Sequence, residues 1–199
     1  LCIFELRTHQ DVGVFLGTTY RMHPAVNQFI SDAIYEGRLQ ASPGNEKQVV
    51  SVPKDYEDVL IKEAGVLFVP VEHEGNVQAS EEEAEKVKFL AHELLGRIFT
   101  DKEGETRELD WKDLLFVAPY SFQVNTLQDM LGKQARVGSV DRFQGQEAPV
   151  VVLSLATSDA AESPRGLGFL LDKNRLNVAI LSGTVIGCFG CQSDADKVF

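Results

Sequence analysis

The stretch "DLLFVAPYSFQVNTLQDMLGKQARVGSVDRFQGQEAPVVVLSLA", Asp113 to Ala156, decides the fold. It opens on an apolar run, "DLLFVAPY" (113–120), and passes into "SFQVNTLQDMLGK", where Phe122, Leu127 and Leu131 recur at roughly helical spacing before Gly132. Two further apolar runs follow, "RVGSV" (136–140) and "PVVVLSLA" (149–156). Continuous apolar runs suit strands covered on both faces, as in parallel sheets. Strands alternating with a helical pattern predict helices laid over such a sheet.

Working outward, the same alternation continues. "VGVFLGTT" (12–19) and "GVLFVPV" (65–71) read as further buried strands. "AVNQFISDAIYEG" opens a helix just after Pro24, a residue favoured in a first helical turn. "SEEEAEKVKFLAHELLGRI" begins at Ser80, an N-cap with Glu83 three residues on, the spacing of a capping box. Polar stretches at 41–58, 101–109 and 158–168 read as surface connections, and no internal repeat is visible. The expectation is one α/β domain with a mainly parallel sheet flanked by helices.

Composition fits. The 199 residues are 44% hydrophobic and 25% charged, enough for one well-buried core. No run is long enough to cross a bilayer and the start lacks a signal-peptide layout, so the chain reads as soluble and cytoplasmic. A formal net charge of -11 excludes binding nucleic acid by bulk positive charge, leaving only local contacts. Cys188 and Cys191 form a C-x-x-C, but His9, His23, His73 and His92 lack the paired spacing that would complete a zinc site. Incidental cysteines are the simpler reading, and no metal site is expected.

Ligands of such sheets sit at the carboxyl ends of strands, and four polar strings are expected there: "TTYRMHP" (18–24), "APYSFQ" (118–123), "SVDRFQGQE" (139–147) and "LDKNRLNVAI" (171–180). Arg21 is either a surface arginine or a fork for a phosphate. His23 suits capping better than base catalysis. Gly145 lets the backbone approach a ligand, while Gln144 and Glu147 offer an amide and a carboxylate to a base or ribose. Tyr120 and Gln123 suit stacking on a base or bonding a phosphate, although a lone tyrosine is commonly half-buried packing.

Taken together, "YRMHP", "APYSFQ", "SVDRFQGQE" and "NRLNVAI" resemble, in order and spacing, motifs IV to VI of superfamily 1 helicases. The closest likeness is to the subgroup of nonsense-mediated-decay and replication helicase/nuclease enzymes, over about residues 12 to 180. The resemblance implies a RecA-like fold (P-loop NTPase type), with residues 1–199 forming the second, carboxyl-terminal motor domain. It implies ATP with Mg2+ as cofactor, bound mainly by a first motor domain, and single-stranded DNA or RNA as partner. Arg21 matches the arginine that meets the γ-phosphate. Glu147 matches an acid near the ribose, with Gly145 by the phosphates and Gln144 and Asp141 in support. Ser139, Pro119 and Tyr120 match positions near the nucleic-acid backbone. Arg175 and Asn177 match the structural opening of motif VI.

The sequence departs from the family twice. It contains no G-x-x-x-x-G-K-[ST] loop and no accompanying Mg2+-binding acid, so an upstream RecA-like domain is expected to supply them. Motif VI also breaks off: the family continues "NVAISRA" or "NVALTRA", whereas this chain reads "NVAILSGTVIGCFGC". Codon degeneracy lets the segment after Ile180 be written so that dropping one base yields Ile-Ser-Arg-Ala and, further on, Val-Val-Leu. On that reading residues 181–199 are an out-of-frame tail; otherwise the motor has diverged. A non-catalytic nucleic-acid-binding or scaffolding remnant is the alternative to an ATP-driven motor, and a thiol redox module rests on "CFGC" alone.

Overall fold

The computed structural model describes residues 15–53, 62–143, 146–158 and 184–191. Its elements run β1 (Thr18–Thr19), α1 (Pro24–Ile34), β2 (Gln40–Ala41), β3 (Val49–Val50), β4 (Gly65–Val71), α2 (Glu81–Leu94), β5 (Ile98–Thr100), β6 (Thr106–Glu108), β7 (Leu114–Val117), α3 (Ser121–Leu131), β8 (Arg136–Gly138), β9 (Val150–Ser154) and β10 (Val185–Cys191). Five strands form one parallel sheet in the order β4-β10-β9-β7-β8.

The apolar runs of β7 and β9 are buried along their whole length because each face has its own cover. Leu114, Phe116, Val150 and Val152 pack with Val87, Leu90 and Leu94 of α2 and Leu127 and Leu131 of α3. Leu115, Val117, Val151 and Leu153 point the other way and pack with Met22, Val26 and Ile30 around α1. The alternation of side chains along a strand therefore divides one apolar run between two cores.

Local chemistry sets the ends. Ser80 caps α2, accepting from the Glu83 amide at 3.1 Å. The expected capping box is only half made, because Glu83 turns its carboxylate into the core and the Ser80 N–H donates to Gln123 Oε1 at 2.8 Å instead. Gly132 ends α3 in a left-handed conformation, φ 86°, that favours glycine.

Three expectations change. Of "VGVFLGTT", residues 12–14 lie outside the described residues, and the described remainder does not join the main sheet: Thr18–Thr19 pairs with β2 in a separate two-stranded sheet, and Leu16 is 72% exposed. The supposed connections at 41–58 and 101–109 contribute β3 and β6, which flank β5 in a small antiparallel sheet. The helical reading of 80–98 overruns, since Gly96 takes φ 80° and Ile98 begins β5. Val185–Cys191, which the sequence reading placed in no element, is the strand between β4 and β9, so "CFGC" lies inside a central strand, with Cys188 opposite Phe68 and Leu153 in the ladder.

Candidate functional site

Among the described residues the polar strings do not gather at one edge of the sheet; they divide between its two ends, while "LDKNRLNVAI" (171–180) lies outside the described residues. At the amino end, β1 hands the chain to a turn, Tyr20–His23, that starts α1. Met22 is buried as the anchor of that turn, and His23 Nδ1 accepts from the Ala25 amide at 3.0 Å as the N-cap. Asn45 Nδ2 donates to the Met22 carbonyl at 3.0 Å, and Gln48 Nε2 to the Arg21 carbonyl at 3.0 Å. Thr184, just before β10, donates to Gln48 Oε1 at 3.2 Å. The Arg21 backbone is thereby fixed from two sides.

Its guanidinium forms an ion pair with Glu147, three residues before β9, with both side chains partly open to solvent. They share a cleft of about 460 Å³ with Tyr20, Lys102, Arg107 and Lys112, at the amino ends of β7, β9 and β10. The β5–β6 hairpin is one lip. It is bolted down by Arg107, whose fork donates to the buried Asp113 at 2.6 and 2.8 Å; those bonds raise the guanidinium's pKa further. Tyr20, 68% exposed, presents an aromatic ring to the cleft beside Arg21. Sequence reasoning passed over it, although its place next to the arginine was the signal.

At the carboxyl end, β7 and β8 finish side by side. Ala118 donates to the Gly138 carbonyl at 3.1 Å, which puts Pro119 and Ser139 at neighbouring strand ends. Gly138 admits close packing: a Cβ there would lie 2.6 Å from Arg142 Cδ. Arg142 folds back to donate to the Val137 carbonyl at 3.2 Å, and Asp141 is exposed at the start of a single 3-10 turn. Tyr120 is 5% exposed and Gln123 wholly buried. Gln123 donates to the Ser80 carbonyl at 3.1 Å and to Ser154 Oγ at 2.8 Å, so it is not available to a base or phosphate.

Beneath this edge lies a buried network that the sequence did not reveal. Glu83 is 0% exposed. It accepts from Ser154 Oγ at 2.5 Å, from the Ala156 amide at 3.1 Å and from His73 Nε2 at 3.0 Å. His73 Nδ1 in turn meets Ser158 Oγ at 2.7 Å, and Ser158 Oγ accepts from the Asn76 amide at 2.9 Å. Nε2 donates to the Glu83 carboxylate, and Nδ1 shares the remaining hydrogen bond with the Ser158 hydroxyl. The network holds Ala156 at φ 65°, a conformation costly for a residue with a Cβ, and so fixes the turn that leaves β9.

Of the residues nominated from sequence, Arg21 and Glu147 meet at the amino end, while Pro119, Tyr120, Ser139 and Asp141 stand at the carboxyl end. Gln144, Gly145, Arg175 and Asn177 lie outside the described residues, as do 181–183 and 192–199. Among the described residues no cluster of three His, Cys, Asp or Glu side chains is arranged to hold a metal ion, and no helix is long and apolar enough to cross a membrane.

A family described as an AAA domain matches residues 3–181. The chain is 29% identical over 178 residues to DNA polymerase alpha-associated DNA helicase A of Schizosaccharomyces pombe, covering 85% of this chain and 26% of that protein. It is 30% identical over 179 residues to the regulator of nonsense transcripts 1 homolog of Arabidopsis thaliana, covering 83% and 13%. To helicase SEN1 of Saccharomyces cerevisiae it is 26% identical over 200 residues, covering 92% and 8%. The chain thus spans about a quarter or less of these relatives' length. With the parallel sheet and its flanking helices, the match over nearly the whole chain identifies a RecA-like domain, and the protein belongs to the superfamily 1 helicases of this AAA-domain family.

Proposed function

We propose that this chain is the carboxyl-terminal half of an ATP-driven helicase or translocase motor. It offers its amino-end cleft to the nucleotide and its carboxyl end to single-stranded DNA or RNA. The observation that carries this is the meeting of Arg21 and Glu147, far apart in the sequence, in one cleft. The cleft's size suits a small ligand, and its side chains fit a nucleotide: a guanidinium fork for phosphate, a carboxylate for ribose hydroxyls and the open ring of Tyr20 for a base.

ATP supplies the phosphoanhydride bond whose hydrolysis drives the motor. Arg21 stabilises charge on the γ-phosphoryl oxygens as that bond breaks. Without nucleotide, Glu147 holds the fork in the cleft; when phosphate takes the fork, Glu147 is released toward the ribose. The phosphate loop belongs to the upstream RecA-like domain, and release of Arg21 after hydrolysis lets the two domains shift along the strand. The test is ATP hydrolysis by the intact protein with and without a single-stranded oligonucleotide. Strong stimulation by the strand is expected; a protein that neither binds the strand nor responds to it contradicts the reading.

A further inference from the structure

Among the described residues, the open aromatic ring at the carboxyl end belongs to Phe122. Tyr120, the ring that the sequence nominates there, is 5% exposed, whereas Phe122, in the first turn of α3, is 65% exposed. Its mounting is rigid. Tyr120 before it and Gln123 after it are both buried, Gln123 is tied to Ser80 and Ser154, and the Tyr120 carbonyl accepts from Val124 at 3.0 Å. With its neighbours fixed inward, Phe122 projects from the first turn into solvent. Pro119 and Ser139 stand at the adjoining strand ends, and the exposed Arg142 follows β8 on the same end of the sheet.

A single exposed apolar side chain is ordinary on any surface. Phe122 differs from Leu16, Ile98 and Phe89 in combining a flat ring with a place at a strand end, beside the proposed strand track. A single strand offers every base as a flat surface, and proteins that bind it without sequence preference combine such rings with local cations. The acidic net charge leaves little help from bulk electrostatics, so stacking on a fixed ring carries more of the affinity.

We propose that Phe122 is a base-stacking platform for single-stranded nucleic acid, with the sugar-phosphate backbone passing Pro119 and Ser139 toward Arg142. This rests on the reading that the strand lies along the carboxyl end. The test measures binding of a fluorescent single-stranded oligonucleotide to the intact protein carrying Phe122→Ala, Phe122→Leu or Phe122→Trp, across a salt series. Phe122→Ala should weaken binding about ten- to a hundredfold, the range of losing one stacked base. The slope of log affinity against log salt should stay the same, because no phosphate contact is removed. Phe122→Trp should restore affinity and its fluorescence should change on binding, while Phe122→Leu should not rescue. Because the ring is exposed, all three variants should melt like the parent. If the parent binds the strand and Phe122→Ala binds equally well, the stacking role is overturned and the motor reading stands. Full rescue by leucine overturns it as well, pointing to apolar packing against another protein surface. Failure of the parent to bind any single strand overturns both.

Discussion

At the scale of single residues, the sequence was most legible where one side chain has one local task. Ser80 and Gly132 lie where capping chemistry puts them, and His23 caps α1. His23 also carries a pH signature. Burial lowers its pKa below the ordinary 6.5, against a smaller upward pull from hydrogen bonding and charge at Glu46. The unfolded chain therefore takes up the proton first, so the cap contributes fully above about pH 6.5 and its contribution is lost as pH falls toward the lower folded value. The mechanism is direct, since a proton on Nδ1 removes the acceptor for the Ala25 amide. Thermal melts at pH 7.5 and 5.5 should show the parent losing more stability on acidification than His23→Asn, which keeps a cap and does not titrate. Parallel losses would contradict it. Glu83 was illegible because its spacing to Ser80 fits a capping box, and nothing local shows that Gln123, from another helix, takes its place.

At the scale of elements, strand existence was read well and strand membership less so. β4, β7, β8 and β9 fall on runs whose apolar residues serve two faces. "VGVFLGTT" is similarly apolar, but among its described residues Thr18 and Thr19 pair outside the main sheet, and β10 was hidden because its seven residues include two glycines, poor strand formers. The division of the motifs between the two ends followed from which side of a strand each one flanks: Glu147 precedes β9, whereas Ser139 follows β8. The buried network joins four of these elements, α2 through Glu83, β9 through Ser154, α3 through Gln123, and the end of β4 through His73. Glu83→Gln keeps the shape but sets an N–H2 against groups that donate. Each group left unpartnered costs about 1–3 kcal/mol, and each kcal/mol lowers the melting midpoint by roughly 2–4 °C in a domain of this size. A midpoint unchanged in Glu83→Gln would show that the network does not hold these elements together.

At the scale of the whole molecule, the two ends of one sheet are assigned to two ligands, so changes at either end should be separable. Arg21 and Glu147 stand at the amino end, and Pro119, Ser139 and Phe122 at the other. The five-stranded parallel sheet connects the two ends. The most direct test is steady-state ATP hydrolysis at saturating strand beside a strand-binding isotherm, for the intact protein and its Arg21→Ala and Arg21→Lys variants. Arginines that meet a γ-phosphate contribute about a thousandfold or more to turnover, so Arg21→Ala should lose hydrolysis on that order while strand affinity holds. Lysine should rescue poorly, since it keeps the charge but not the planar fork. Normal hydrolysis by Arg21→Ala with lost strand affinity would contradict the account and place the arginine on the nucleic-acid track.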